Sequence, residues 1–298
     1  MVFEIRTAAP EDAAGIARLW AVTMPQLVMT ARGVAAGLRR AKSRVVLVAV
    51  DGPEVVGYAN IYLPDPAEQA PRVRITVHVA PASRRLGIGS ALLEHVTAGA
   101  AEAGAARLLV VVGDDDESKG FATRRGFIIG RRMSHSKAEL SAAREPVAAP
   151  SGLRIVDYEQ VDPRQVYLAE AAVRDDDPSG LSGGPAYDEW LESYWNHPDL
   201  RRDLSIAVVD GDTVLSFVTT TAGPERSMIW SNLTGTIPSA RGRGLAKVVK
   251  SHALARARDA GFRIASTGND AGNAPMLAVN EWLGYRVSSS AWTAEKAL

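Results

Sequence analysis

The apolar positions along this chain switch between a period of two and a helical period, and they do so twice in the same order. Phe3-Glu4-Ile5-Arg6 alternates apolar and polar residues and reads as a short strand. Pro10-Glu11-Asp12 then starts a helix whose apolar residues are Ile16, Leu19 and Trp20. Residues 24–42 predict a second helical or irregular stretch, and 45–50 a strongly apolar strand. Asp51-Gly52 is a hairpin signal, with 55–63 as the returning strand and 64–71 as a loop. Residues 73–79 follow as a strand, 91–103 as a helix, 107–112 as a buried strand, 118–125 as a short helix and 127–132 as a closing strand. The series restarts at Leu153-Arg154-Ile155-Val156. Strands follow at 205–209, 214–221 and 228–236, a helix at 247–260, a strand at 263–268, a helix at 273–283 and a last strand at 285–290. Residues 160–200 take the place of the early helices.

The strand at 73–79 and its helix are joined by Arg84-Arg85-Leu86-Gly87-Ile88-Gly89-Ser90. Glycine lets a backbone turn sharply and come close to a ligand. The first amides of a helix lack internal acceptors and carry the positive end of its dipole, so such a turn suits an anion. The same Arg-x-x-Gly-x-(Gly/Ala) form returns as Arg241-Gly242-Arg243-Gly244-Leu245-Ala246. Arg84 and Arg241 are 241 − 84 = 157 positions apart, and Gly87/Gly244, Pro81/Pro238 and Gly104/Gly261 keep that offset. Gly126-Phe127 and Gly284-Tyr285 stand 158 apart. An internal repeat of this length is a duplicated domain. Residues 141–150 read as a linker, which divides the chain into 1–140 and 151–298. Of the two turns, Gly87-Ile88-Gly89 reads as the more regular.

A chain of 298 residues accommodates two domains that can each bury a core. The net charge is zero, so bulk electrostatics recruits neither nucleic acid nor an anionic membrane. Cysteine is absent, which excludes disulfides, thiolate metal sites and a cysteinyl acyl-enzyme, and fits a cytoplasmic protein. Residues 1–10 lack the pattern of a signal peptide, and no apolar run reaches membrane-spanning length.

Strand, helices, three strands, helix, strand, helix, strand in each half, together with the two arginine-glycine turns, resembles the GNAT superfamily of acyl-CoA-dependent N-acyltransferases, in tandem. The resemblance covers nearly the whole chain. It implies an α/β (α+β) fold of two GNAT-like domains, each a mixed, mostly antiparallel central sheet flanked by helices. The family's second signature looks like Asn273 through Asn280 to Gly284-Tyr285 in the second half. In the first, Asp115, Phe121, Ala122 and Gly126-Phe127 take those positions. Asn280 and Ala122 stand where the family often has an acid tyrosine.

The resemblance implies acetyl-CoA as co-substrate, with no metal. Its pyrophosphate would rest on Arg84, Arg85, Leu86, Gly87, Ile88, Gly89 and Ser90, or on Arg241, Gly242, Arg243, Gly244, Leu245 and Ala246. The pantetheine arm would run along Val77 and Val79, or along Thr236, with Asn269 and Asn273 flanking the cleft. A strand amide there would hold the thioester carbonyl. Thr236 and Asn280 are the candidate catalytic residues. The expected reaction is direct acetyl transfer to a primary amine of a small molecule or peptide, with the second half favoured because Asp115 and Ala122 interrupt the first signature. The alternative is a non-catalytic acyl-CoA-binding or sensing protein. Monomer and homodimer both remain open.

Rival chemistries fail on spacing. A dinucleotide-binding Gly-x-Gly-x-x-Gly needs glycine at the positions of Leu92 and Lys247, and no Gly-x-x-x-x-Gly-Lys-(Ser/Thr) occurs. His78, His95, His135, His197 and His252 are scattered and read as surface or packing residues rather than metal ligands. Asp175-Asp176-Asp177 and residues 114–117 read as solvated acidic runs. Tyr187, Trp190, Tyr194 and Trp195 read as packing rather than as an acceptor wall.

Overall fold

The computed structural model describes residues 3–40, 44–63, 71–174 and 184–298. The acidic run at 175–177 lies outside them, as does most of the 64–71 loop. The first half of the sequence forms β1 (Glu4–Thr7), α1 (Ala13–Thr23), α2 (Ala31–Arg39), β2 (Arg44–Asp51), β3 (Glu54–Tyr62), β4 (Arg72–Val79), α3 (Ile88–Glu102), β5 (Arg107–Gly113), α4 (Asp116–Thr123) and β6 (Ile128–Glu139). The second forms β7 (Arg154–Asp157), α5 (Pro163–Arg174), α6 (Tyr187–Trp190), β8 (Ile206–Asp210), β9 (Thr213–Gly223), β10 (Met228–Thr236), α7 (Leu245–Asp259), β11 (Ile264–Asp270), α8 (Ala274–Trp282) and β12 (Arg286–Ala297). A π-helical turn over Leu191–Trp195 extends α6.

Two compact units result, and they are not the two halves of the sequence. The first is Met1–Arg132 with Ser290–Leu298, and the second is Met133–Ser289. The first unit's sheet runs β1-β2-β3-β4-β5-β12, and the second's runs β7-β8-β9-β10-β11-β6. Each unit thus takes its closing strand from the other half. Ala291–Ala297 pairs with Gly113–Arg107 of β5, and Met133–Glu139 pairs with Asp270–Ile264 of β11. A division into 1–140 and 151–298 therefore differs from the observed units. In a duplicated fold β5 and β11 present the same backbone edge, and ladder hydrogen bonds do not read side chains. The segment 141–150 is also more than a spacer: Leu140–Ala142 is a 3-10 turn, and the Val147 amide donates to Ser251 Oγ at 3.0 Å.

In the first unit α3 packs Ile88, Leu92, Leu93 and Val96 against Val73, Ile75, Leu108 and Phe127. A Cβ at Gly57 would come within 2.9 Å of Ile88 and Leu92, so the missing side chain lets α3 lie directly on β3. In the second unit α7 buries Leu245, Val248, Val249 and Ala253 against Ile206, Val208, Leu215 and Val218. Farther along, α7 sets Leu254 and Ala257 against Ile229, Ala265 and Tyr285. The opposite face of that sheet is covered by α5 and α6, where Val166, Ala169, Trp190 and Trp195 meet Tyr158 and Phe217. Trp190 and Trp195 are therefore core, while Tyr194 is exposed.

Candidate active site

Among the described residues each unit has one parallel pair of neighbouring strands, and each pair parts after a few residues. β4 and β5 pair only through Arg72–Arg74 with Arg107–Leu109. β10 and β11 pair only through Met228–Ser231 with Ile264–Thr267. Beyond those points the two strands stop pairing with each other, and their facing backbone groups become available to an extended ligand. β4 and β10 then run into 3-10 turns at Pro81–Ser83 and Pro238–Ala240 and on to the arginine-glycine turns.

Those turns do what a glycine there permits. Gly87 (φ 86°) caps α3 and Gly244 (φ 74°) caps α7, both left-handed. The first amide hydrogen bonds inside α7 run from Lys247 and Val248 to the Gly244 carbonyl, so the Leu245 and Ala246 amides have no acceptor within the helix. In α3 the same bonds start at Ser90 and Ala91, leaving Ile88 and Gly89. The repeat is thus reproduced at the level of backbone angles as well as letters.

The two copies then differ at four places. The position two residues before the capping glycine is left-handed in both, but it is Arg85 (φ 65°) in the first and Gly242 (φ 77°) in the second. A side chain there is strained, so the second turn is the relaxed one, which reverses the ranking that Gly87-Ile88-Gly89 suggests. Second, Arg84 and Arg85 both pair with Glu117 of α4, at 3.3 and 2.6 Å. These cations hold the Glu117 carboxyl below its ordinary value. The equivalent place in the second copy holds Ala274 or Pro275. Third, the penultimate residue of β4 is His78, packed against Trp20 (4.6 Å between ring centres) and Tyr58 (6.4 Å). Burial first, and the Arg84 charge second, push it down to about 4.

The fourth difference is in the strand itself. β3 and β4 pair without interruption from Gly57/Val79 to Ile61/Ile75. β9 and β10 slip by one residue between Ser231 and Leu233, leaving Asn232 as a bulge where β10 leaves β11. The strand starts are 228 − 72 = 156 apart and the strand ends 236 − 79 = 157, so the second copy carries one extra residue inside this strand. A bulge re-aims the local backbone and is frequent beside active sites.

The remaining sequence candidates fall into place as follows. Val77 and Val79 lie beyond the end of β4–β5 pairing and are partly buried against the α3 core. Thr236 Oγ1 shares a 2.9 Å hydrogen bond with Ser216 Oγ, and its carbonyl accepts from Arg241 Nε at 3.1 Å. Asn273 caps α8 by accepting from the Met276 amide, and Asp115 caps α4 from the Ser118 amide in the same way. The asparagine and aspartate of the two signatures thus share a capping role. Asn280 is buried, donates from Nδ2 to Asn269 Oδ1 at 2.7 Å, and leaves Oδ1 without a partner. An amide carries no titratable proton, so Asn280 can orient a ligand but cannot protonate a leaving group. No group of three metal-ligating side chains occurs among the described residues.

One buried residue has no counterpart in the first copy. Lys250, 1% exposed, stands on α7 at the position of Leu93, with its ammonium 4.9 Å from the Tyr285 ring centre. Burial alone pushes it down to about 7, and burial also raises Tyr285 to about 12. The unfolded chain binds the Lys250 proton up to an ordinary lysine value, so between about 7 and 10.5 the unfolded state holds more protons and stability rises with pH. Lys250→Leu is expected to raise the melting temperature at pH 7 and to flatten its climb towards pH 10. An unchanged melting curve across that range would contradict the assignment.

A split parallel strand pair that ends at a glycine-capped helix N-terminus is built twice in this chain. Residues 11–127 match the Acetyltransferase (GNAT) family. The chain is 31% identical over 250 residues to the mycothiol acetyltransferase of Mycobacteroides abscessus, covering 81% of each chain. It is 25% identical over 265 residues to that of Acidothermus cellulolyticus, covering 84% of this chain and 78% of the relative. In fold it is similar to a tandem GNAT protein from the clavulanic acid biosynthesis pathway (TM-score 0.78, 21% identity, 99% and 98% coverage). A GCN5-related N-acetyltransferase from Sphaerobacter thermophilus is also similar (TM-score 0.72, 17% identity, 99% and 95% coverage). The chain belongs to the GNAT acetyltransferase family and is an N-acetyltransferase. GNAT acetyltransferases use acetyl-CoA as co-substrate. Among the described residues no helix is long and apolar enough to cross a membrane.

Proposed function

We propose that the second unit transfers acetyl from acetyl-CoA directly to a primary amine, and that the first unit serves mainly as scaffold. The observation that carries this reading is the bulge at Asn232, set where β10 leaves β11 and absent from β4. In this reading the pyrophosphate lies on the Leu245 and Ala246 amides beside Arg241 and Arg243, and pantetheine lies along β10 from Thr236 towards the bulge. The bulge turns a backbone amide towards the thioester carbonyl. That amide is worth most in the tetrahedral intermediate, where charge develops on oxygen. The neutral amine attacks the carbonyl carbon, the carbon–sulfur bond breaks, and the amine's proton leaves through the protein. Asn280 and Asn269 orient the arm from the α8 side. Direct transfer without an acyl-enzyme suits a chain with no cysteine.

In the first unit Glu117 already neutralises the arginines a pyrophosphate would use, although the pairs are exposed and individually weak. Two relatives are named for mycothiol, so mycothiol-related amines head the list of acceptors, followed by other small amines and by peptides. The test is thiol release from acetyl-CoA across such a panel. Release above the water blank with at least one primary amine is expected. A protein that binds acetyl-CoA yet releases no thiol with any of them would overturn the reading.

A further inference from the structure

The gap where β10 and β11 part is flanked by unsatisfied polar atoms on both faces of the sheet. The last paired residues are Ser231 and Thr267, so Gly268 and Asn269 are the first of β11 to border the gap. Side chains alternate along a strand, so these two point to opposite faces. On the Asn269 face stands Asn280, whose Oδ1 is buried and unpartnered. On the Gly268 face stands His135. It lies directly across from Gly268 in the β6–β11 register, is 7% exposed, and has a buried Nδ1 with no hydrogen-bond partner.

Gly268 is what gives the imidazole its place. A Cβ there would sit 3.2 Å from His135 Cδ2 and 3.1 Å from the Trp230 ring. His135 and Trp230 have ring centres 6.3 Å apart. Registry puts Thr221, Trp230, Ser266, Gly268 and His135 on one face, the face away from α7. The CoA helix and the α8 residues lie on the other. An acetyl group threaded through the gap from the α7 side therefore emerges beside an imidazole whose ring nitrogen has nothing else to bond. A buried ring with an unmet nitrogen is costly unless a ligand or a proton transfer explains it.

We propose that His135 takes the proton from the attacking amine. The inference rests on the second unit being the working one. The amine nitrogen bonds to the carbonyl carbon, the sulfur leaves with the electron pair of the broken bond, and the amine proton passes to the imidazole. It is then released to the thiolate or to solvent, which restores the neutral ring. Burial lowers the His135 value, so the ring is neutral and able to accept at physiological pH. Asp270 and Lys137 share its face by register, and Ser288 donates to its carbonyl rather than to its ring. The base of this unit is thus supplied by the strand that the first half of the sequence contributes.

The test is His135→Gln, with His135→Asn as a second variant. Thiol release from acetyl-CoA is measured with the best amine of the panel and, without an amine, as slow hydrolysis by water. Gln is expected to lower kcat by about 100-fold or more, leave acetyl-CoA affinity within about threefold, and remove the acid limb of the kcat–pH profile. Added imidazole should restore part of the rate. In the unmodified protein, with five histidines, the ring signal that His135→Gln deletes should shift when acetyl-CoA is added. A kcat within about threefold of the original with the acid limb intact overturns the proposal, as does a His135 ring signal indifferent to acetyl-CoA. Gly244→Glu is measured alongside. If it keeps turnover, the working unit is misassigned; if it abolishes turnover while His135→Gln does not, only the role of His135 fails.

Discussion

Gly244→Glu abolishes acetyl-CoA turnover, and Gly87→Glu leaves it within about threefold of the original, if the second unit is the working one. Gly244 is left-handed, and a Cβ built there meets nothing within 4 Å, so the substitution is strained by backbone angle rather than by crowding. That strain costs about 1–2 kcal/mol. The larger effect is electrostatic. The new carboxylate sits on the amides of Leu245 and Ala246, which would otherwise receive phosphate, and it repels the pyrophosphate. The strain lowers fold stability, whereas the charge acts on binding, where a loss of about 3 kcal/mol weakens affinity by a factor of 100 or more. Gly244→Ala separates the terms, since it keeps the backbone strain and omits the charge. Calorimetric titration with acetyl-CoA and thiol-release kinetics on the three variants read the result. Loss of turnover in Gly87→Glu alone would reverse the assignment.

Deleting Asn232 should lower kcat by about 100-fold or more while acetyl-CoA still binds. The deletion removes the slipped residue and gives β10 the uninterrupted pairing that β4 already has, so the sheet has a precedent for it in the same chain. The pyrophosphate turn lies well past the bulge and keeps its glycines. What is lost is the direction of the backbone amide at the point where the strands part. Because that amide is used more in the tetrahedral intermediate than in the ground state, the loss belongs in kcat rather than in affinity. A variant that binds acetyl-CoA as before and turns over at the original rate would remove the bulge from the mechanism.

Much of this is legible in the sequence. The order of elements, the offset of 157 between the two glycine turns and the hairpin at Asp51-Gly52 follow from periodicity and from residues with special backbone needs. Those signals are local, and local physics decides them. What stayed hidden was non-local. The exchange of β6 and β12 left no trace, because either strand satisfies either edge. The neutralisation of Arg84 and Arg85 depends on where α4 places Glu117, about thirty residues away. His135 read as packing because its neighbours Gly268 and Trp230 are close only in the folded sheet. The capping of α8 by Asn273 is likewise seen only in the folded chain. Lys250 stands out no earlier, since a lone lysine in a helix is unremarkable until its surroundings are known to be apolar.

The crossed closing strands carry a consequence for biosynthesis. The first unit cannot finish its sheet until residues 290–298 have left the ribosome, long after its own core-forming segments have emerged. Until then β5 offers an open edge to any strand in reach, and β6, the next to arrive, is the natural stand-in. The order of translation therefore favours a provisional pairing that residues 290–298 must displace.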